Sequence, residues 1–186
     1  MAITIVETVS SATANSYQTL AAAQAIIDGL VEDDDVVAWS SATTDQKNRA
    51  LFTATVRIDR ERFLGAKATD TQALQWPRQG VRKPDTFTST YVSGFPYRIT
   101  TDYYTETEIP KEVKEAQAIL AVYLNNNKDG LGLSGLEDYK DIKIGSLEAT
   151  PNFYGAVGAD RVPPLFERLF TGLRISGPAN VSIKRS

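Results

Sequence analysis

Between Ile109 and Asn127 the chain reads IPKEVKEAQAILAVYLNNN, and no other segment restricts the fold as much. Val113, Ala116, Leu120 and Leu124 recur at three- and four-residue spacing, which puts them on one face of an α-helix. Pro110 suits the first turn, where a missing N–H costs nothing, and the asparagines and glycine that follow close the helix. An apolar face of this length has to be covered by other elements. The segment is therefore expected to be the central helix of a bundle.

Other segments supply the cover. ANSYQTLAAAQAIIDGL has Ser16 as an N-cap and Gly29 as a stop, which predicts a helix over about residues 17–28. VEDDDVVAW reads as an acidic turn that delivers Trp39. Thr43 or Thr44 with Gln46 then opens a second helix in capping-box style, expected to run to about Leu64 and to end at Gly65. On it Leu51, Ala54 and Ile58 form one apolar stripe, and Phe52, Val56 and Phe63 form another, so the helix is expected to be sandwiched. Arg49, Arg57 and Arg60 cluster between the stripes and share a direction, toward solvent, a neighbouring subunit or DNA. Near the C-terminus, VPPLFERLFTGL predicts a short last helix opened by prolines.

Between residues 82 and 108 lies the threonine- and tyrosine-rich TFTSTYVSGFPYRITTDYYTETE, whose alternation around Ser93, Gly94 and Phe95 predicts a hairpin over about residues 86–107. Residues 136–155 suggest one or two short strands, and residues 176–186 alternate Val181 and Ile183 with Ser182 and Lys184 as an extended arm. The expected organisation is a single mainly-α domain over residues 1–175, about four helices with this insert, plus a C-terminal arm. Trp76 precedes Pro77, which disfavours helix at the tryptophan. Trp39, Trp76 and Pro77 are expected to anchor the core.

The chain of 186 residues contains neither cysteine nor histidine. Disulfides, Cys or His metal sites, thiol nucleophiles and imidazole acid–base catalysis are thereby excluded. No constellation of carboxylates, lysines or tyrosines replaces them, so no catalytic, cofactor or metal site is expected. GLGLSG, residues 130–135, matches the dinucleotide pattern in letters, but a helix precedes it and none follows, the reverse of what phosphate binding requires. Asn125, Asn127, Asp129 and Gly130 imitate the start of a calcium loop, yet Leu136 occupies the closing carboxylate position. Asp33, Asp34 and Asp35 read as solvated charge. The opening MAITIVETVS does not read as a secretory leader, and no apolar run is long enough to span a bilayer, so a cytoplasmic, membrane-free protein is expected.

Charge is unevenly distributed. From Lys47 to Lys83 there are nine basic residues against three acids, a surplus of six in a chain whose net charge is −3. Such a segment suits either nucleic acid or an acidic face of another subunit. Arginines interleaved with Phe52, Phe63 and Trp76 resemble the mixture that holds single strands, where guanidinium groups follow phosphates and aromatic rings stack bases, but a buried ring stacks nothing.

ANSYQTLAAAQAIID, Trp39, ALFTATVRIDRERFLG, TQALQWPRQGV and IPKEVKEAQAILA follow one another as they do in a family of tailed-phage proteins. The chain resembles bacteriophage head–tail connector or head-completion adaptors, a family also labelled DnaT-like single-stranded DNA-binding protein. The likeness covers roughly residues 14–125. It implies a helical-bundle subunit, made in the bacterial cytoplasm and placed in the virion, that assembles with itself into a ring, usually a dodecamer. The implied partners are the portal protein, the tail or a tail-terminator or nozzle protein, and the DNA passing through the channel. In that reading Val181, Ser182, Ile183, Lys184, Arg185 and Ser186 form the portal-binding arm, and Arg49, Arg57 and Arg60 face the channel or the next subunit. The alternative is a DnaT-like single-stranded DNA-binding protein of replication, motivated by the basic segment and by the family's second label.

Overall fold

The computed structural model describes residues 3–92, 95–127, 139–143, 148–151 and 164–175. Among them the helices are α1 (Leu20–Ile27), α2 (Asp34–Ser41), α3 (Thr44–Ile58), α4 (Lys111–Asn126) and the short α5 (Pro164–Leu169). Strands pair two by two, all antiparallel: β1 (Ala66–Lys67) with β2 (Arg78–Gln79), β3 (Arg82–Val92) with β4 (Phe95–Tyr103), and β5 (Tyr139–Lys143) with β6 (Glu148–Pro151). The fold is the small, mainly-α bundle with a long hairpin that the patterning predicts. Residues 93–94 of the predicted turn, and the C-terminal arm at Val181 to Ser186, lie outside the described residues.

Helix α4 packs against α1, α2, α3 and α5. Val113, Ala116, Leu120 and Ala121 are fully buried on it, and a side chain such as Leu120 contributes about 2 kcal/mol by leaving water. Leu124 is only half-buried. One polar residue, Gln117, sits among these apolar groups with no exposure. Its amide donates to Ser16 Oγ at 2.7 Å, Thr55 Oγ1 at 2.7 Å and the Leu51 carbonyl at 3.3 Å. A buried donor that finds three acceptors on other segments fixes the placement of those segments against α4.

Three local expectations are corrected. Thr19, not Ser16, caps α1, accepting from the Ala22 N–H at 3.0 Å; the Ser16 hydroxyl is committed to the Gln18 carbonyl and to Gln117. The acidic stretch is not a turn but the start of α2. Asp33 is its N-cap, with Asp34 and Asp35 in the first turn, where carboxylates meet the positive end of the helix dipole. Helix α3 stops at Ile58, well short of Leu64. Its C-cap, Asp59, instead accepts hydrogen bonds from the Tyr17 hydroxyl and from the Gln75 N–H.

After Asp59 the chain turns to pair with the segment that follows α5. The Leu64 N–H donates to the Leu173 carbonyl at 2.9 Å and the Ile175 N–H to the Arg62 carbonyl at 2.7 Å. Phe63 is buried by this turn, edge to face with Trp76 at 5.6 Å and with Phe170 at 5.4 Å. Gly65 has φ +71°, and a Cβ there would lie 2.2 Å from the Gln79 carbonyl oxygen. Only glycine lets β1 approach β2 in this way.

The stretch QALQWPRQG is wired to itself. Gln72 donates to the Leu74 and Pro77 carbonyls and accepts from the Thr69 N–H. Trp76 is buried and stacks edge to face with Tyr104, the peptide bond to Pro77 is cis, and Pro77 is buried as well. The guanidinium of Arg78 donates to the carbonyls of Phe63, Leu64, Gly65 and Gln75. Trp39, on α2, is buried, with its indole N–H on Oε1 of Gln24 in α1 at 2.9 Å.

Candidate nucleic-acid interface

Helix α3 is nucleated by a complete capping box. The Gln46 N–H donates to Thr43 Oγ1 and the Thr43 N–H donates to Gln46 Oε1. Ala50, Leu51, Ala54, Thr55 and Ile58 turn inward and are buried. The opposite face carries Arg49, Phe52, Val56 and, two residues past the helix end, Arg60. Arg49 and Arg60 are exposed, while Phe52 is 37% and Val56 41% exposed. Phe52 and Val56 therefore belong to no core stripe, and α3 is not sandwiched. This corrects the two-stripe expectation: Phe63, its third member, lies beyond the helix, so the apparent periodicity joined residues of different elements.

Spacing of three and four residues makes Arg49, Phe52 and Val56 neighbours along one line. Arg49 Nε donates to Asp45 Oδ2 at 2.8 Å, and both partners are largely exposed. The Arg49 hydrogen bond, with help from the Ile3 N–H, holds the Asp45 carboxyl below its ordinary range. Arg57 is half-buried at the flank of the line, with one guanidinium nitrogen shut off from solvent.

The rest of the basic segment is dispersed. Lys47 lies over the Trp39 ring at 5.4 Å, Lys67 donates to the Gln72 carbonyl, Arg78 is the buried clamp, and Lys83 pairs with Glu108 at 2.8 Å. Arg62, in the loop after α3, and Arg82, on β3, are exposed. Of the three aromatics interleaved with the arginines, Phe63 and Trp76 are buried and Phe52 alone presents a ring at the surface. Sequence reasoning assigned Phe52 to the interior. The missed signal is that Arg49, Phe52, Val56 and Arg60 share one three-to-four spacing, so cations and apolar residues occupy a common face.

Beside Arg49 a groove of about 300 Å³ opens between α3 and the end of α4, lined by Gln46, Arg49, Ala50, Thr53, Leu124 and Asn125, with Asn127 at its end. The amides of Asn126 and Asn127 both donate to Asp35 Oδ1, at 2.7 and 3.1 Å, which ties α2 to α4. Of the residues that imitate a calcium loop, Asn127 takes part in this tie; Asp129, Gly130 and Leu136, like GLGLSG, lie outside the described residues. Among the described residues no three acidic side chains are grouped to hold a metal, and no helix is long and apolar enough to cross a membrane.

A family model described as "Putative DnaT-like ssDNA binding protein" matches residues 1–185. No curated protein and no solved structure matches the chain. The adaptor function and the virion location implied by the phage resemblance are corrected by this result. The matching description is that of a DnaT-like single-strand binder.

Proposed function

The chain belongs to this DnaT-like single-stranded DNA-binding family, and we propose that it binds single-stranded DNA along the outer face of α3, as a non-enzymatic binding protein of replication. The observation that carries the proposal is the exposed line Arg49, Phe52, Val56, Arg60. Guanidinium groups neutralise phosphates and release counterions. An exposed ring between them offers a stacking platform to any base, which gives affinity without sequence choice. Val56 extends the apolar strip beside the ring. Asp45 opposes binding, because the Arg49 contact with its carboxylate has to loosen before Arg49 meets a phosphate.

Fluorescence anisotropy of a labelled oligonucleotide tests the proposal. Phe52→Ala is expected to weaken binding about tenfold, the loss of one stacked base, with the salt slope unchanged. Arg49→Gln and Arg60→Gln should each lower the slope of log K against log salt by about 0.7. Asp45→Asn should tighten binding. Failure of the wild-type chain to bind oligonucleotides at low salt would overturn the reading.

A further inference from the structure

We infer that the groove between α3 and α4 is a subsite for one unpaired nucleobase, an inference that rests on single-strand binding by the neighbouring α3 face. Three asparagines end α4, and they are not equivalent. Asn126 and Asn127 are spent on Asp35, whereas Asn125, which lines the groove, makes no side-chain hydrogen bond among the described residues. Its amide therefore keeps both a donor and an acceptor. The Gln46 oxygen is committed to Thr43, and its NH2 group adds further donors at the other wall.

An amide with both functions intact matches the adjacent donor and acceptor on the edge of an adenine, the pairing through which asparagine and glutamine read that base. Ala50 and Leu124 supply apolar walls. The volume lies at the small end of pockets that hold ligands and suits one flat ring system better than a peptide or a larger cofactor.

Helix geometry places the groove correctly with respect to the strand. Taking Arg49 as origin, Thr53 and Ala50 lie about 40° and 100° to one side around α3, and Phe52 lies about 60° to the other. A phosphate held by Arg49 thus has the groove on one flank and the Phe52 ring on the other. Successive bases of one strand diverge to the two sites, so the groove adds base preference to a face that otherwise selects only single-strandedness.

The test compares an oligo-dA strand with a phosphodiester strand of equal length that lacks bases, using the full chain. Asn125→Leu removes the amide, and Thr53→Phe fills the groove. Each is expected to weaken oligo-dA binding about tenfold, the loss of one good bidentate contact, while binding of the abasic strand and the salt slope stay at the wild-type values. Either variant binding oligo-dA as tightly as wild type, with native circular dichroism, overturns the subsite and leaves the α3 reading intact. Equal loss for both strands also overturns it, because a base contact cannot weaken a strand without bases. If the wild-type chain binds neither strand at low salt, the α3 reading fails and the subsite with it.

Discussion

Arg78 illustrates how a residue's type can be plain while its role depends on distance. It lies in the basic segment and counts toward the charge surplus there, yet its guanidinium is buried and donates to the main chain at Phe63, Leu64, Gly65 and Gln75. These carbonyls follow the end of α3 and precede the cis Trp76–Pro77 bond, so one side chain joins two loops. Lysine keeps the charge but lacks the planar fork that reaches several acceptors at once. Arg78→Lys is expected to destabilise the fold by about 3 kcal/mol, since carbonyls buried with the clamp lose their partner, measured as a lower midpoint of urea unfolding. Phe52 is the reverse case. Its ring remains at the surface because the Leu51, Ala54 and Ile58 side of α3 already covers α4.

At the level of elements, the helices whose ends carry their own chemistry were readable. The capping box at Thr43 and Gln46 starts α3, and proline starts α4 at the position where a helix loses least by it. Thr43→Ala removes the acceptor for the Gln46 N–H and is expected to cost about 1 kcal/mol, seen as a lower thermal midpoint. Where an end is decided by contact with another element, local pattern misleads. α3 ends at Ile58 because Asp59 is drawn to Tyr17 and Gln75 and because residues 62–64 pair with the chain after α5. α2 was missed because three aspartates in a row resemble a solvated turn. In the fold Asp33 caps the helix, and Asp35 receives the two asparagine amides from the end of α4.

For the molecule as a whole, the buried polar groups set an alkaline limit. Burial, reinforced by the charge of Asp59, pushes the Tyr17 phenol well above its usual value of 10.0. Burial together with Glu112 and Glu108 pushes Tyr104 up to about 12. Above pH 10 the unfolded chain releases these protons while the folded chain keeps them, so the unfolded state binds fewer protons and stability falls as pH rises. Thermal midpoints should therefore drop between pH 10 and about 12. Tyrosinate absorbance should show Tyr17 and Tyr104 ionising with unfolding, and Tyr17→Phe should flatten the fall. The helical class, the central place of α4, the β3–β4 hairpin and the lack of thiol and imidazole groups were legible in the residues alone, because periodicity, turn chemistry and residue inventory are local properties. The basic segment was legible there too, but not its surface. That Arg78 clamps loops, that Lys47 and Lys83 cover rings, and that Arg49, Phe52 and Arg60 share an open face follows from the packing of the folded chain. Burial is a relation between segments distant in the chain, and no local pattern specifies which side of a helix the rest of the fold will cover.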